Sequence, residues 1–304
     1  MIRLLACFHA CEDLEVLSEQ EWCSGSAEGR IDTSYLKKTI NAYDESALEL
    51  ACRLKDSCRR VSMSVEEKIA GKPADQDVGI KAELQRELLC TTAAVTVAEG
   101  KRDLFSETLA AVGFDRVCRI IPEETEWERL PEAGSLSSEY TASLLYKWIM
   151  EQEPFDLILA GWQSGNGNHG KVPLILAELL GLRCITHVTD VRPVDARHAE
   201  VSWTENGDDC SAVIAFPAVL PVGTVSGTAL RVPTLRQRMA VRGRKAEIIP
   251  AEELTADPVG SPVMLESMEV LTEERNGRLL EGLDAETAAA SMWNCIRSKE
   301  TQQQ

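Results

Sequence analysis

The segment of this sequence best equipped for chemistry follows an apolar run at residues 155–160. It reads Gly161, Trp162, Gln163, Ser164, Gly165, Asn166, Gly167, Asn168, His169, Gly170, Lys171 and Val172, after which a helical pattern resumes. The glycines at 161, 165, 167 and 170 predict backbone that takes positive φ angles and comes close to a bound group. Successive N–H groups at the start of the next helix would hold a phosphate, with the helix dipole and Lys171 adding positive potential. The loop falls at the C-terminal end of a parallel strand, where ligands bind in open α/β sheets. It matches neither the GxGxxG fingerprint nor GxxxxGK[ST]. The residues alone therefore leave two readings, a nucleotide phosphate loop and an unoccupied glycine-rich turn.

Other chemistry has less to stand on. Cys7, His9 and Cys11 would share one face of an extended strand, but no fourth ligand lies nearby, so no metal site is expected. The ten cysteines form no CxxC pair and mostly sit in apolar segments, as buried thiols do in a reducing compartment. The sequence has no GxSxG elbow, HExxH pair, kinase signature or nucleophile with an obvious base, and only four histidines. No catalytic residue is assigned, and binding is better founded than bond-making.

The elements that must position the loop are readable from periodicity. Residues 2–8 form an apolar run suited to a central parallel strand. From 44 to 55, Ala47, Leu48, Leu50, Ala51 and Leu54 recur at helical spacing, with Asp44 placed to cap the start. Residues 56–90 read as a partly helical surface insertion. Strands at 92–97, 116–121 and 155–160 then alternate with helices at 102–112, 138–150 and 170–180, which implies a parallel sheet covered on both faces. Residues 197–203 and 210–216 flank Glu205-Asn206-Gly207-Asp208-Asp209 and predict a β-hairpin attached to that sheet. From Ile249 the chain reads as an extended linker, ending in a helix at 285–297 capped by Asp284. The fold class expected is α/β, a mostly parallel, doubly wound, Rossmann-like sheet. The organisation expected is a nucleotide-binding domain at 1–249 and a C-terminal arm at 250–304 that buries its apolar face on a partner.

Composition narrows the partners. Lys and Arg number 32 against 49 Asp and Glu, a net charge of −17, so nucleic acid is an unsuitable ligand. No run approaches the roughly 20 apolar residues that cross a bilayer, and the N-terminus turns acidic before a signal-peptide core forms, so a cytoplasmic location is expected. Residues 231–245 are a basic stretch in an acidic chain.

Three separated segments together resemble the β subunit of electron transfer flavoprotein, including its Fix-type members. Residues 40–55, INAYDESALELACRLK, are similar to the family's INPYDxxALExAxRLK. The loop from Gly161, continuing into LILAELLG, aligns without gaps to GxQAIDGDTxQVGPxLAExLG. RVPTLRQRM, from Arg231, resembles RYPSLPxIM, the family's partner-recognition region. The resemblance implies a heterodimer with an α subunit that carries redox-active FAD. It further implies AMP, or in bifurcating members a second FAD, in this subunit, and transfer of electrons with acyl-CoA-type dehydrogenases.

Carried over by position, Cys7 falls on the first-strand residue that meets the nucleotide, and Asn41, Ala42, Tyr43 and Asp44 on the helix-entry segment. Val97 falls on the position after the second strand, and Gly161 to Val172 on the phosphate loop. Leu235 matches the leucine inserted into partner dehydrogenases, with Arg231, Arg236 and Met239 beside it. The chain departs from the family at Asn166 and Asn168, where acids are usual, at Pro173 for glycine, at His9 for lysine, and at Val97-Ala98-Glu99 for a glycine-containing turn. These departures leave AMP and FAD as equal expectations. A nucleotide-binding module without electron transfer is the alternative reading, and an adenine-nucleotide hydrolase or ligase a third.

Overall fold

Strands of five to eight residues, apolar on alternate or on all positions, form the centre of the computed structural model. It describes residues 1–18, 20–21, 33, 35–70, 89–98, 103–122, 137–165, 169–223, 229–254, 282 and 284–300. In chain order the elements begin with β1 (Ile2–Cys7), β2 (Ala10–Glu12), β3 (Lys38–Ile40), α1 (Ala42–Ala70), β4 (Cys90–Val97), α2 (Ser106–Val112) and β5 (Arg116–Ile121). They continue with α3 (Ser138–Met150), β6 (Leu157–Gly161), α4 (Val172–Leu180), β7 (Arg183–Cys184), β8 (Val188–Pro193), β9 (His198–Glu205), β10 (Asp208–Ala215) and β11 (Ala218–Val222). The last are α5 (Leu235–Ala240), β12 (Glu247–Pro250), a 3₁₀ turn (Ala251–Leu254) and α6 (Ala285–Glu300).

Among the described residues, ten strands join in the order β10-β9-β8-β11-β6-β1-β4-β5-β12, with β7 beside β11, while β2 and β3 form a separate antiparallel ribbon. From β11 to β12 every neighbour is parallel. Alternation along β1 explains the layers. Ile2, Leu4, Ala6 and Phe8 pack with α1 and α2, whereas Leu5 and Cys7 pack with α3, α4 and the 3₁₀ turn. The doubly wound α/β class expected from sequence is the one observed.

The hairpin falls where the turn residues put it. Asn206 (φ 53°) and Gly207 (φ 90°) connect β9 to β10, the left-handed pair that a two-residue turn needs. Several expected boundaries shift, and the strand expected at 155–160 spans Leu157–Gly161. The helix expected at 102–112 starts at Ser106, the one at 170–180 starts at Val172, and the strand at 92–97 starts at Cys90. The helix that begins near Asp44 runs to Ala70 and absorbs part of the expected insertion, whose residues 71–88 lie outside the described ones. Ile249 and Pro250 are strand residues paired with β5 rather than the start of a linker.

The Asp44 cap is corrected outright. Asn41 caps α1, its Oδ1 accepting from the N–H groups of Tyr43 (2.9 Å) and Asp44 (3.0 Å). The contacts within the chain define two units, residues 1–268 and 269–304. In the second, α6 is capped by Asp284, which accepts from Thr287 N–H at 2.9 Å. Met292 and Trp293 are exposed on it.

Candidate nucleotide-binding site

The C-terminal ends of β6, β1 and β4 lie side by side, since Cys7 stands opposite Ala160 on one neighbour and Val95 on the other. Cys7, Val97 and Gly161 therefore come from residues 154 apart in sequence to one edge of the sheet. The first turn of α1 joins them. Asp44 accepts hydrogen bonds from Gly161 N–H (2.9 Å), from His9 N–H (3.0 Å) and from Asn41 Nδ2 (2.7 Å). One carboxylate thus ties the exits of β1 and β6 to the helix start. Burial raises its pKa to about 7 against the opposing pull of those three bonds.

At three of the four loop glycines the positive φ expected from sequence is not found. Gly161, Gly165 and Gly170 have no positive φ; close approach requires them instead. A Cβ on Gly161 would collide with Asp44 Oδ1 and stand 2.9 Å from Asp44 N. One on Gly165 would stand 2.6 Å from Cys11 Sγ, and one on Gly170 3.0 Å from Trp162 O. Gly167, with Asn166 and Asn168, lies outside the described residues. On either side of those three, His169 N–H donates to Ser164 Oγ (3.0 Å) and Ser164 N–H to His169 O (3.4 Å), which closes the loop at its base.

Beyond the loop, α4 starts with Lys171 as N-cap and has no acid in its first turn, so its N–H groups and dipole are not neutralised there. Pro173 sits in that first turn, where its missing donor costs nothing. Lys171 Nζ is 3.6 Å from Glu139 and largely exposed, which keeps it able to reach an anion.

Cys7 and Cys11 are both buried, away from the exposed, electropositive setting that favours a reactive thiolate. Burial, and secondarily the charge of Asp44, push both thiols up. Nor do they share a strand with His9, because β1 ends at Cys7 and β2 begins at Ala10. Cys11 instead packs beneath Gly165.

Sequence reasoning missed two features at this edge. Trp162 packs against His187 with the rings tilted by 42° and their centroids 4.1 Å apart, and His187 is in a left-handed conformation (φ 55°). Beside the ends of β4 and β5 is a cleft lined by Phe8, Lys38, Thr96, Asp103, Phe105 and Arg119 among others. Burial would raise the Asp103 carboxyl, but hydrogen bonds from Ser106 and Ala246 and the charge of Arg119 hold it below its ordinary value. The signal was present: Arg119 interrupts the apolar alternation of RVCRII, and a charge inside a buried strand is rarely idle.

Comparison with known proteins places the chain beside two relatives along most of its length. Over 297 residues, 96% of each chain, the sequence is 27% identical to YgcR of Escherichia coli (strain K12), provisionally named an electron transfer flavoprotein subunit. Over 265 residues, 86% of each chain, it is 29% identical to electron transfer flavoprotein subunit beta of Bacillus subtilis (strain 168). Both relatives are named as electron transfer flavoprotein subunits, in agreement with the resemblance carried by the three sequence segments. No family model matches it.

The segment that resembles the family's recognition region has two sides. Arg231 turns inward: its Nε (3.0 Å) and Nη2 (2.8 Å) donate to the two oxygens of Glu49, its Nη1 to Asp56 (2.6 Å), and its N–H to Glu49 (3.1 Å). Burial would raise Glu49, but the Arg231 fork more than offsets it and holds the carboxyl below its ordinary range. Thr234 and Gln237 then form a reciprocal capping box that starts α5. None of the residues of α5 is buried; Leu235 is 77% exposed and Met239 60%, with Val232 just before them at 83%. Arg236 is exposed on the same helix. The guanidinium of Arg231 is thus an anchor, and the apolar residues beyond it form the outward face.

Proposed function

We propose that this chain is the β subunit of a heterodimeric electron transfer flavoprotein, binding AMP or a second FAD and passing electrons between acyl-CoA-type dehydrogenases and another redox partner. It acts as a carrier subunit in the cytoplasm, and its residues position a nucleotide rather than break bonds. The observation that carries this reading is the single Asp44 carboxylate. It draws together three of the segments the family uses for its nucleotide, namely the exit of β1, the helix entry at Asn41–Asp44 and the phosphate loop.

The residues present suit such a group. The loop is closed at Ser164 and His169, the α4 N-terminus is free of acid, and Lys171 is within reach of an anion. A flavin bound in the complex supplies the redox chemistry, while the protein supplies orientation and electrostatics. Of residues 250–304, the part beyond the buried 3₁₀ turn at Ala251–Leu254 would serve as an arm on the α subunit, with the exposed Met292 and Trp293 of α6 as the covered face. Val232, Leu235 and Met239 would enter the partner dehydrogenase, and Arg236 would orient the encounter.

The test is to co-express the chain with a candidate α subunit, purify the complex, denature it, and count the released nucleotides by chromatography and mass. One FAD with one AMP per heterodimer supports the carrier, and two FAD support its bifurcating form. A complex with AMP and no flavin would replace this reading with that of a nucleotide-binding module.

A further inference from the structure

At the opposite, N-terminal edge of the sheet, α1 and β4 bring two cysteines together. Lys55 fixes the register: its Nζ donates to Thr92 Oγ1 (3.3 Å), Gly113 O (2.6 Å) and Asp115 Oδ2 (2.7 Å). Helix residues three apart share a face, as do strand residues two apart. Since α1 runs against the direction of β4, one turn beyond Lys55 meets the strand two residues before Thr92. Those positions are Cys58 and Cys90, whose thiols are hydrogen-bond partners. The Cys90 S–H has a competing acceptor in Thr91 O, at the long distance of 3.9 Å. Cys58 is buried and Cys90 is half-buried, so a small oxidant approaches from the Cys90 side.

We propose that Cys58 and Cys90 are a site of reversible oxidative modification and form a disulfide that joins α1 to the start of β4. With a peroxide as oxidant the step balances. One thiol loses its proton and attacks a peroxide oxygen, the O–O bond breaks, and a sulfenic acid and water result. The other thiol then loses its proton and displaces the sulfenic oxygen as a second water, forming the S–S bond. The two sulfurs together give up two electrons, and the peroxide takes them. A thiol that accepts a hydrogen bond from its neighbour is the easier to deprotonate, and Cys58 is held below its ordinary value for that reason. The bridge would fix the middle of the helix whose first turn carries Asp44, and it would do so whatever nucleotide the protein holds.

The full-length protein is treated with hydrogen peroxide, its remaining thiols are blocked with N-ethylmaleimide, and it is digested without reductant. The expected product is one peptide pair joined through Cys58 and Cys90, lighter by two hydrogen atoms than the two thiol peptides and lost on treatment with dithiothreitol. Recovery of both cysteines as separate blocked thiols, under conditions that oxidise the exposed Cys295, would overturn the proposal. Cys90→Ser provides a second reading. Oxidation should raise the melting temperature of the wild type and leave that of Cys90→Ser unchanged, whereas a lowered wild-type value would show that the bridge does not fit the native fold.

Discussion

Two buried carboxylates stand five residues apart on α1, and their surroundings push them in opposite directions. Asp44 is held by three N–H donors, and burial carries its pKa up to about 7. Glu49 is gripped by the Arg231 fork and titrates below the ordinary range. Dipoles satisfy a buried carboxylate geometrically, while a guanidinium also neutralises it. The candidate site therefore rests on a group that changes charge near neutral pH, and the segment around Arg231 rests on one that does not. On the function proposed above, a cofactor phosphate would add negative charge to the first region, whereas the second would hold its shape through repeated encounters.

The largest expected effect follows from that difference. The folded Asp44 pKa lies above its ordinary 3.8, so the folded state keeps a proton that the unfolded state has lost. Stability should fall as pH rises from about 4 to about 7, by on the order of 4 kcal/mol. Asp44→Asn keeps an acceptor and removes the titration. Urea unfolding of both proteins across this range should show a slope that only the wild type has, and parallel lines would break the comparison. Glu49 has the opposite sign: its contribution is present above the ordinary carboxylate pKa and is lost as pH falls through its lowered value.

Gly161→Ala comes next. The new methyl meets Asp44 Oδ1 and its backbone N, so unfolding in urea should show a loss of about 3 kcal/mol, together with lowered nucleotide content. A stable, fully loaded variant would mean that the joint between α1 and β6 is looser than its distances imply.

Arg231→Met should cost about 2 kcal/mol, because it strands a buried Glu49 while about a third of the guanidinium was already in water. Replacing Glu49 by Gln in the same chain should recover part of that loss. The smallest effect on stability belongs to Leu235→Ala, within about 0.5 kcal/mol, since the side chain is 77% exposed. Stopped-flow transfer to an acyl-CoA-type dehydrogenase should nevertheless slow, with nucleotide content intact. Unchanged transfer would remove Leu235 from the docking face.

Much of the fold was legible because its signals are local. Asn206-Gly207 specifies its own turn, and the helix at Ser138–Met150 begins at the expected residue, with Ser137 accepting from Tyr140 N–H as its cap. The strand β11 was hidden by Pro221, which argues against a central strand. It is tolerated because its missing N–H faces the side where residues 185–187 bow away between β7 and β8. There Val219 still pairs with Cys184 and Val222 with Val188. At the site, the loop glycines were legible as a cluster but not in their role. Positive φ is a property of one residue, whereas the approach of Asp44 and Cys11 is a property of the assembled fold. Asp44 was misread as a cap for the same reason: its partners, His9 and Gly161, lie 35 and 117 residues away.

The pairing of β5 with β12 reaches further still, since Arg116 and Cys118 meet Glu247 across roughly half the chain. During synthesis, β5 would remain an open edge until more than 120 further residues had followed it. The sheet can assemble its centre early, around β1 and β4, but this margin is sealed only by a strand made near the end. A nascent chain cut short before Glu247 would carry the candidate site nearly complete and leave the six-residue β5 as the sheet's edge in place of the four-residue β12, a longer row of unpaired backbone groups for chaperones and proteases to meet.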